Sequence, residues 1–260
     1  MINFIKKTLR KILTPEQLQI FKNVLCLFYA NDLKTLAQIQ GTSKWGFHWY
    51  MTHYERYFRD LKNNKLNLLE IGVGGYADLR EGGRSLRMWK AYFPKGMIYA
   101  IDIYDKSHLQ ENRIEIFQGN QNDPQFLTEV ANKIGSLDVV IDDGSHVNEH
   151  VITSFKTLFP FLNPGGIYVV EDTQMAYWPR FGGSSNDMNN SNTTTNFFRN
   201  LTDGLNYIEF DKPYVPTYFD LHIEAMHFYH NIIFIFKRKH SDKDQSGLFR
   251  KEALYKTAIT

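Results

Sequence analysis

Residues 66–75 read Leu66-Asn67-Leu68-Leu69-Glu70-Ile71-Gly72-Val73-Gly74-Gly75, a short apolar run followed at once by a glycine-rich turn. Four further runs follow along the chain: Met97–Ile103, the weaker Arg113–Phe117, Leu137–Ile141 and Ile167–Val170. Helical patterns lie between several of them, for example at Ser85–Phe93 and His146–Leu162. Apolar runs that alternate with helices are typical of a parallel sheet covered by helices on both faces. We therefore predict an α/β fold.

The chain before this region is predicted to be helical. Residues 1–40 carry apolar side chains at helical spacing with lysines between them. Thr14-Pro15-Glu16-Gln17 has the capping-box pattern of a helix start, with proline at the first helical position. Such a basic amphipathic segment either packs on its own domain, which we favour, or contacts a membrane surface or a partner subunit.

The pattern changes again after the fifth run. The Gly/Ser/Asn/Thr-rich stretch Gly182–Asn196 predicts a mobile loop. Three later runs predict strands that close one edge of the sheet: Leu205–Phe210, His222–Tyr229 and Ile232–Phe236. The turn His230-Asn231 predicts an antiparallel hairpin between the last two. The expected division is a helical segment 1–40, a domain 41–238 and a charged, solvated tail 239–260.

The composition is that of an ordinary globular protein. Hydrophobic residues make up 43% and charged residues 22% of the 260 residues, which excludes wholesale disorder and fibres. Lys+Arg 30 against Asp+Glu 28 leaves a net charge of +2, so we expect no nucleic-acid binding through bulk charge. Cys26 is the single cysteine, and no apolar run approaches the roughly 20 residues that cross a bilayer. These features predict a cytoplasmic protein without a transmembrane segment.

Acidic side chains collect where the apolar runs end. Ligands of an open parallel sheet bind outside the carboxyl ends of its strands, and six acids stand there: Glu70, Asp102, Asp142, Asp143, Glu171 and Asp172. The turn Gly72-Val73-Gly74-Gly75 lets the backbone approach a ligand, although Ala77 replaces the third glycine of the dinucleotide fingerprint. Asp102 is placed to accept hydrogen bonds from two ribose hydroxyls. The pattern predicts a cofactor that contains adenosine.

A metal site is predicted from Asp143, Glu171 and Asp172. The ends of neighbouring strands lie about 5 Å apart, and three unpaired carboxylates so close would repel each other. A hard divalent cation such as Mg²⁺ resolves the repulsion, since oxygen is its preferred ligand. The alternative is that Asp142 or Asp143 caps the next helix and that Glu171-Asp172 contacts a basic partner.

His146 follows Asp143 by three residues, at the predicted first turn of the next helix. A helix N-terminus disfavours the imidazolium and keeps the imidazole neutral. We therefore predict that His146 is a general base beside the metal, although a lone histidine is usually structural.

Four segments together carry a resemblance to a known family: Leu69–Tyr76, Glu81–Trp89, Ile141–His146 and Val170–Thr173. They closely resemble the class I methyltransferases of macrolide sugars, the macrocin and mycinamicin O-methyltransferases, and the rhamnose O-methyltransferases of tetracenomycin-type glycosides. Gly41–Tyr50 resembles the upstream element of that family and departs from it at Ser43. The resemblance covers roughly residues 41–237, and we expect the chain to lack the extra N-terminal domain of the mycinamicin enzyme.

The resemblance implies a Rossmann-like, mostly parallel seven-stranded sheet with S-adenosylmethionine as cofactor. It implies that Asp143, Glu171 and Asp172 hold Mg²⁺ and that His146 is the base. The cofactor residues it implies are Glu70, Gly72 and Gly74 near the methionine portion, Asp102 at the ribose, and Gln121 with Asp142 near the adenine. Tyr76 and Ser85 are further cofactor-binding candidates. Tyr177 and Trp178 are candidates to stack on a sugar under the loop Gly182–Asn196, or they pack beneath that loop. Relatives assemble into multimers, so a homo-oligomer is possible.

The expected reaction is methyl transfer to a sugar hydroxyl, such as that of a deoxysugar like rhamnose on a natural-product glycoside or polysaccharide. Three alternatives stay open: a catechol or phenolic acceptor, a nicotinamide-dependent oxidoreductase, and a cofactor-binding protein without catalysis. The missing third glycine and the acidic residues argue against the oxidoreductase.

Overall fold

The architecture is one mixed sheet with helices on both faces. The computed structural model describes residues 12–78 and 81–239. The strands in these residues are β1 (Asn67–Ile71), β2 (Met97–Asp102), β3 (Ile114–Gln118), β4 (Leu137–Asp142), β5 (Leu162–Glu171), β6 (Ile223–Tyr229) and β7 (Ile232–Lys237). Their order is β3-β2-β1-β4-β5-β7-β6. The first five in that order are parallel, and β7 is antiparallel to both of its neighbours.

Helices connect and flank these strands. The α-helices are α1 (Pro15–Phe28), α2 (Leu33–Gln40), α3 (Met51–Phe58), α4 (Arg84–Tyr92), α5 (Pro124–Ile134), α6 (Asn148–Leu158), α7 (Thr194–Asn200) and α8 (Tyr218–His222). Short 3-10 helices occupy Ser107–Leu109, Phe159–Phe161, Thr173–Tyr177, Pro179–Phe181 and Asp203–Glu209. The predicted capping box is confirmed, because Thr14 and Gln17 exchange side-chain to backbone hydrogen bonds at the start of α1.

Each face of the sheet carries its own hydrophobic core. Successive strand residues point to opposite faces, so Leu68 of β1 packs with α1 to α4 while Leu69 packs with α5 to α7. Strand β4 divides in the same way, with Val139 on the first face and Val140 on the second. The predicted α/β class, the parallel sheet and the C-terminal antiparallel hairpin are confirmed.

Two predicted elements differ from the structure. Leu205–Phe210 was expected to be a strand, but Asp203–Glu209 is a 3-10 helix that packs against α8. Gly204 allows this approach, because a Cβ there would overlap the carboxylate of Asp220. The predicted helix His146–Leu162 is shorter, since α6 begins at Asn148 and Pro160 stands in the 3-10 turn that ends it.

The flanking segments are described only in part. Residues 1–11 and 240–260, where the start of the predicted helical segment and nearly all of the predicted tail fall, lie outside the described residues. Helices α1 and α2 pack on the same core as α4. The division of the chain into segments 1–40, 41–238 and 239–260 stays a prediction. The irregular stretch from Gly182 ends where α7 begins at Thr194. Among the described helices, none combines the length and the apolar character that a membrane crossing requires.

Candidate active site

A cleft lies at the carboxyl ends of the parallel strands. Strands β1 and β4 are neighbours in the sheet although β2 and β3 come between them in the chain. The connections therefore leave this point in opposite directions, which opens a crevice suited to ligands. The cavity has a volume of about 1210 Å³ and is lined by the glycine turn, the end of β2 and the loop after β4.

The glycine turn after β1 brings two strand ends into close contact. Gly72 has a φ of +97°, and a Cβ there would overlap the carbonyl oxygen of Asp143 and lie 2.9 Å from its carbonyl carbon. Hydrogen bonds from Gly72 N to Ile101 O (2.8 Å) and from Asp143 N to Ile71 O (3.0 Å) hold the turn between β2 and β4. Only glycine combines this φ with this close approach.

Asp102 ends β2, and it lines the cleft. Its Oδ2 accepts the N–H of Val73 at 2.9 Å, and its Oδ1 accepts the N–H of Tyr104 at 2.9 Å. Each carboxylate oxygen keeps a further acceptor position, so Asp102 can also accept hydrogen bonds from a ligand. Gly74 and the 88% exposed Tyr76 line the same cleft. The structure therefore brings these predicted cofactor residues together, and their contacts with a cofactor stay predictions.

Gln121 and Asp142 form one hydrogen-bonded unit beside the cleft. Gln121 Nε2 donates to both Asp142 oxygens at 3.2 and 3.3 Å, and its Oε1 accepts the N–H of Ser145 at 2.6 Å. Burial raises the pKa of Asp142 to about 6, although the hydroxyl of Ser154 lowers it. Gln121 lines the cleft and the buried Asp142 does not. Asp142 can therefore influence a ligand only through Gln121 and the backbone around it.

Glu70 lies fully buried at the end of β1. Its Oε2 accepts the hydroxyl of Ser85 at 2.8 Å, and its Oε1 is 3.1 Å from Lys44 Nζ. Burial raises the pKa of Glu70, while Lys44 lowers it. Ser85, in the first turn of α4, lines the cleft and Glu70 does not. Glu70 thus orients Ser85, and direct contact between Glu70 and a cofactor stays a prediction.

Asp143, His146 and Asp172 form the candidate metal group. One ligand atom from each lies within 4.8 Å of the other two. His146 Nε2 is 3.6 Å from Asp172 Oδ2 and 4.0 Å from Asp143 Oδ1. Two carboxylates are ligands that Mg²⁺ prefers, and an imidazole nitrogen suits other divalent ions. The donor set therefore fits a divalent cation.

The expectation of three unpaired carboxylates is wrong, because a lysine stands between two of them. Lys44 Nζ is 2.6 Å from Asp143 Oδ2 and 2.6 Å from Glu171 Oε1, and Tyr54 also donates to Glu171 Oε1. Burial would lower the pKa of Lys44, but the surrounding carboxylates raise it well above its ordinary value. Glu171 thus contacts a basic partner, as the alternative interpretation had it, and its part as a metal ligand stays a prediction.

Residues of the segment before β1 were not assigned from the sequence, although two of them contact Asp172. Tyr50 donates to Asp172 Oδ1 at 2.6 Å, and His48 Nε2 is 3.6 Å from the same oxygen. Burial, together with Asp172, raises the pKa of Tyr50 above its ordinary value, so its hydroxyl remains a donor. Tyr50 and Tyr54 are four residues apart, a spacing that places both on one face at the start of α3. This four-residue spacing was the signal in the sequence that could have identified the two tyrosines as neighbours in the site.

His146 does not lie in the first turn of a helix, as was expected. It stands two residues before α6 with a φ of +58°, and this left-handed conformation cannot continue into a right-handed helix. The helix therefore begins after His146, at Asn148. Its Nδ1 is buried without a hydrogen-bond partner among the described residues, and its Nε2 faces the two aspartates.

The predicted sugar-stacking residues lie beside the cleft. Tyr177 is 37% and Trp178 43% exposed, and the cleft on this side is lined by Met175, Arg180 and Phe181 instead. The guanidinium of Arg180 lies 4.6 Å from the ring centre of Phe181 and 5.6 Å from that of Trp178. The contact of Tyr177 and Trp178 with a substrate stays a prediction.

Comparison with known proteins shows what this chain is similar to. The profile of a methyltransferase domain matches residues 69–173. The mycinamicin VI 2''-O-methyltransferase of Micromonospora griseorubida is 48% identical over 84% of this chain and 54% of its own length. The 8-demethyl-8-alpha-L-rhamnosyl tetracenomycin-C 2'-O-methyltransferase of Streptomyces olivaceus is 46% identical over 80% of this chain and 55% of its own length. The structure of a methyltransferase from the mycinamycin biosynthetic pathway, in complex with Mg, SAH and mycinamycin VI, has a TM-score of 0.76 and 47% identity over 82% of this chain and 56% of that chain.

These likenesses agree with the resemblance predicted from the sequence. The chain spans about half the length of the curated relatives it matches. The matched residues 69–173 contain the glycine turn, Asp102 and the acids that follow β4 and β5. The chain is therefore similar to sugar O-methyltransferases of the mycinamicin type over about half of their length, and it has the class I methyltransferase fold.

Proposed function

We propose that this protein transfers the methyl group of S-adenosylmethionine to a hydroxyl group of a sugar, with Mg²⁺ at the acidic group. One observation carries the proposal: a single cleft joins the glycine turn and Asp102 to the side chains of Asp143, His146 and Asp172. A nucleoside site and a cation site that open on one cleft suit a reaction between a bound cofactor and an alcohol. The named reactions of the two curated relatives support this assignment.

The cofactor would be held by backbone as much as by side chains. The turn at Gly72 leaves no side chain between the strand ends and the ligand. Asp102 would accept the ribose hydroxyls through the acceptor positions that Val73 and Tyr104 leave open. Gln121, oriented by Asp142, would lie near the adenine. The solved relative binds SAH, the product form of the same cofactor.

Asp143 and Asp172 would hold the cation. Glu171, the third ligand that the resemblance implies, would reach it only with Oε2, because Lys44 and Tyr54 contact its Oε1. A divalent cation supplies positive charge that stabilises an acceptor oxygen as it loses its proton. His146 would take that proton at Nε2, the atom that lies near both aspartates. Tyr50 and His48 orient Asp172 from the side away from His146, because they contact Oδ1 while His146 approaches Oδ2.

A sugar is the proposed acceptor because of the relatives. One is named for the 2''-hydroxyl of mycinamicin VI and the other for a rhamnosyl group. The cleft itself offers Phe47 and Phe181 as rings and Arg180 as a hydrogen-bond donor, a combination that suits a glycoside with an apolar aglycone. The sugar, the hydroxyl and the aglycone are therefore parts of the proposal that the experiment has to decide.

The test is mass spectrometry of acceptors incubated with the full chain and S-adenosylmethionine, with and without EDTA. A panel of rhamnosylated polyketides is compared with a panel of catechols, and binding of SAH is compared with binding of NAD. We expect methylated glycosides only without EDTA, and binding of SAH but not NAD. Methylation of catechols alone, or binding of NAD alone, would refute the proposal.

Replacement of the proposed base tests the mechanism. We expect His146→Ala to lower turnover by about 100-fold or more, since loss of a general base has effects of that order, while SAH binding stays unchanged. The exposed His108 lies outside the cleft, so His108→Ala is the matched control and should keep its turnover. Full turnover in His146→Ala would remove this residue from the mechanism.

A further inference from the structure

Lys44 is a buried cation at the centre of the acidic residues, and the proposed mechanism does not use it. The residue is 2% exposed. Its Nζ is 2.6 Å from Asp143 Oδ2, 2.6 Å from Glu171 Oε1 and 3.1 Å from Glu70 Oε1. These carboxylates come from the ends of three neighbouring strands, β1, β4 and β5. Lys44 Nζ donates hydrogen bonds to Asp143 and Glu171 and forms an ion pair with Glu70, whose Oε1 accepts no hydrogen bond from the described residues.

We propose that Lys44 is a built-in counter-ion, a positioning residue that occupies the deep part of the acidic group and confines the metal to its cleft side. The proposal rests on the proposed function for the identity of the metal. Glu70 and Glu171 are buried, and carboxylates without water need a compensating charge. Lys44 supplies that charge within the chain, so the strand ends can assemble before any metal binds.

The geometry divides the acidic residues into two sides. Glu70 and the Oε1 atom of Glu171 lie on the deep side in contact with Lys44, and Asp172 lies on the cleft side with His146. Asp143 belongs to both, because its Oδ2 contacts Lys44 while its Oδ1 is 4.0 Å from His146 Nε2. The ammonium thereby holds Asp143 so that one oxygen is turned toward the candidate metal group.

Removal of the ammonium should make a divalent cation take its place. Without Lys44 the three carboxylates repel each other, and cation binding at the deep side becomes the available compensation. We expect the melting temperature of Lys44→Met in EDTA to lie about 10 °C below that of the wild type, since loss of one partner of a buried ion pair is strongly destabilising. Mg²⁺ should recover most of this loss, whereas it should raise the melting temperature of the wild type by much less.

A double variant separates charge from packing. Lys44→Met/Glu171→Gln removes one charge of each sign, so it should be more stable than Lys44→Met in EDTA and should gain less from Mg²⁺. Lys237 is the matched control, because it is also buried (6% exposed) but its Nζ donates to the backbone carbonyls of Phe159, Pro160 and Leu162. Lys237→Met should lose stability equally with and without Mg²⁺.

The experiment measures melting temperatures of the unaltered chain and the three variants in EDTA and in Mg²⁺, without substrate. An equal loss for Lys44→Met in both conditions, with no recovery by Glu171→Gln, would overturn the proposal and leave Lys44 as a packing residue. If Lys44→Met does not fold, folding of the double variant supports the proposal, and failure of both overturns it. Because no methyl transfer is measured, a wrong proposed function would show in the acceptor assay and not here.

Discussion

Substitution of Gly72 by alanine is expected to destabilise the cleft in two ways, by backbone strain and by steric overlap. A left-handed backbone costs an L-residue about 1–2 kcal/mol, and the φ of Gly72 is +97°. The added Cβ would also overlap the backbone of Asp143, with its carbonyl carbon only 2.9 Å away. Overpacking of this kind typically costs about 1–3 kcal/mol. Gly72→Ala should therefore lower the free energy of unfolding by about 3 kcal/mol and push the ends of β1 and β4 apart.

Gly135 provides the matched control for this prediction. It has a φ of +87° at the end of α5, and nothing lies within 4 Å of the position of its Cβ. Gly135→Ala should lose only the backbone contribution, about 1–2 kcal/mol, and should bind SAH as the wild type does. Urea denaturation measures the free energies, and calorimetry measures SAH affinity, which should fall in Gly72→Ala alone. Equal losses of stability and unchanged SAH affinity in both variants would refute the reasoning.

Two further predictions concern side chains beside the cleft. The pKa of Asp142 is raised from 3.8 to about 6 in the folded protein, so folding favours the protonated carboxyl. This contribution to the free energy of unfolding is fully present below about pH 4. It falls by about 3 kcal/mol as the pH rises through 6. Asp142→Asn should remove this dependence, and parallel unfolding free energies of wild type and variant from pH 4 to 7 would contradict it. Lys106 is fully buried, and its Nζ donates to the carbonyls of Asp78 and Glu81 at 2.7 and 3.0 Å. Lys106→Met removes these charge-assisted hydrogen bonds and should loosen the cleft-lining segment at Glu81. We therefore expect SAH to bind about tenfold more weakly, the size of effect that such a loss has. Calorimetry at fixed Mg²⁺ checks this, with unchanged affinity as the opposing result.

The sheet could be predicted because its signal is local. Each of the strands β1 to β5 contains an apolar run, weaker in β3 than in the others, and the glycine turn marks the end of the first. The hairpin β6–β7 was equally visible, because Asn231, whose φ is +64°, occupies its two-residue turn. The strand predicted at Leu205–Phe210 was wrong because it also rested on a local apolar run. Such a run does not show whether the segment pairs with a strand or packs on a helix.

The acidic strand ends were determined by the sequence itself, because parallel strands bring their carboxyl ends to one edge whatever surrounds them. What fills the space between those acids was decided by tertiary structure. Lys44 is 99 residues from Asp143 and 127 from Glu171 along the chain, and Tyr50 is 122 residues from Asp172. No local periodicity links side chains so far apart. The sequence also does not show whether a given lysine will be buried or exposed to solvent. The balance of charge in the site therefore depends on the tertiary structure, whereas the presence of the acidic residues at the strand ends can be predicted from the sequence.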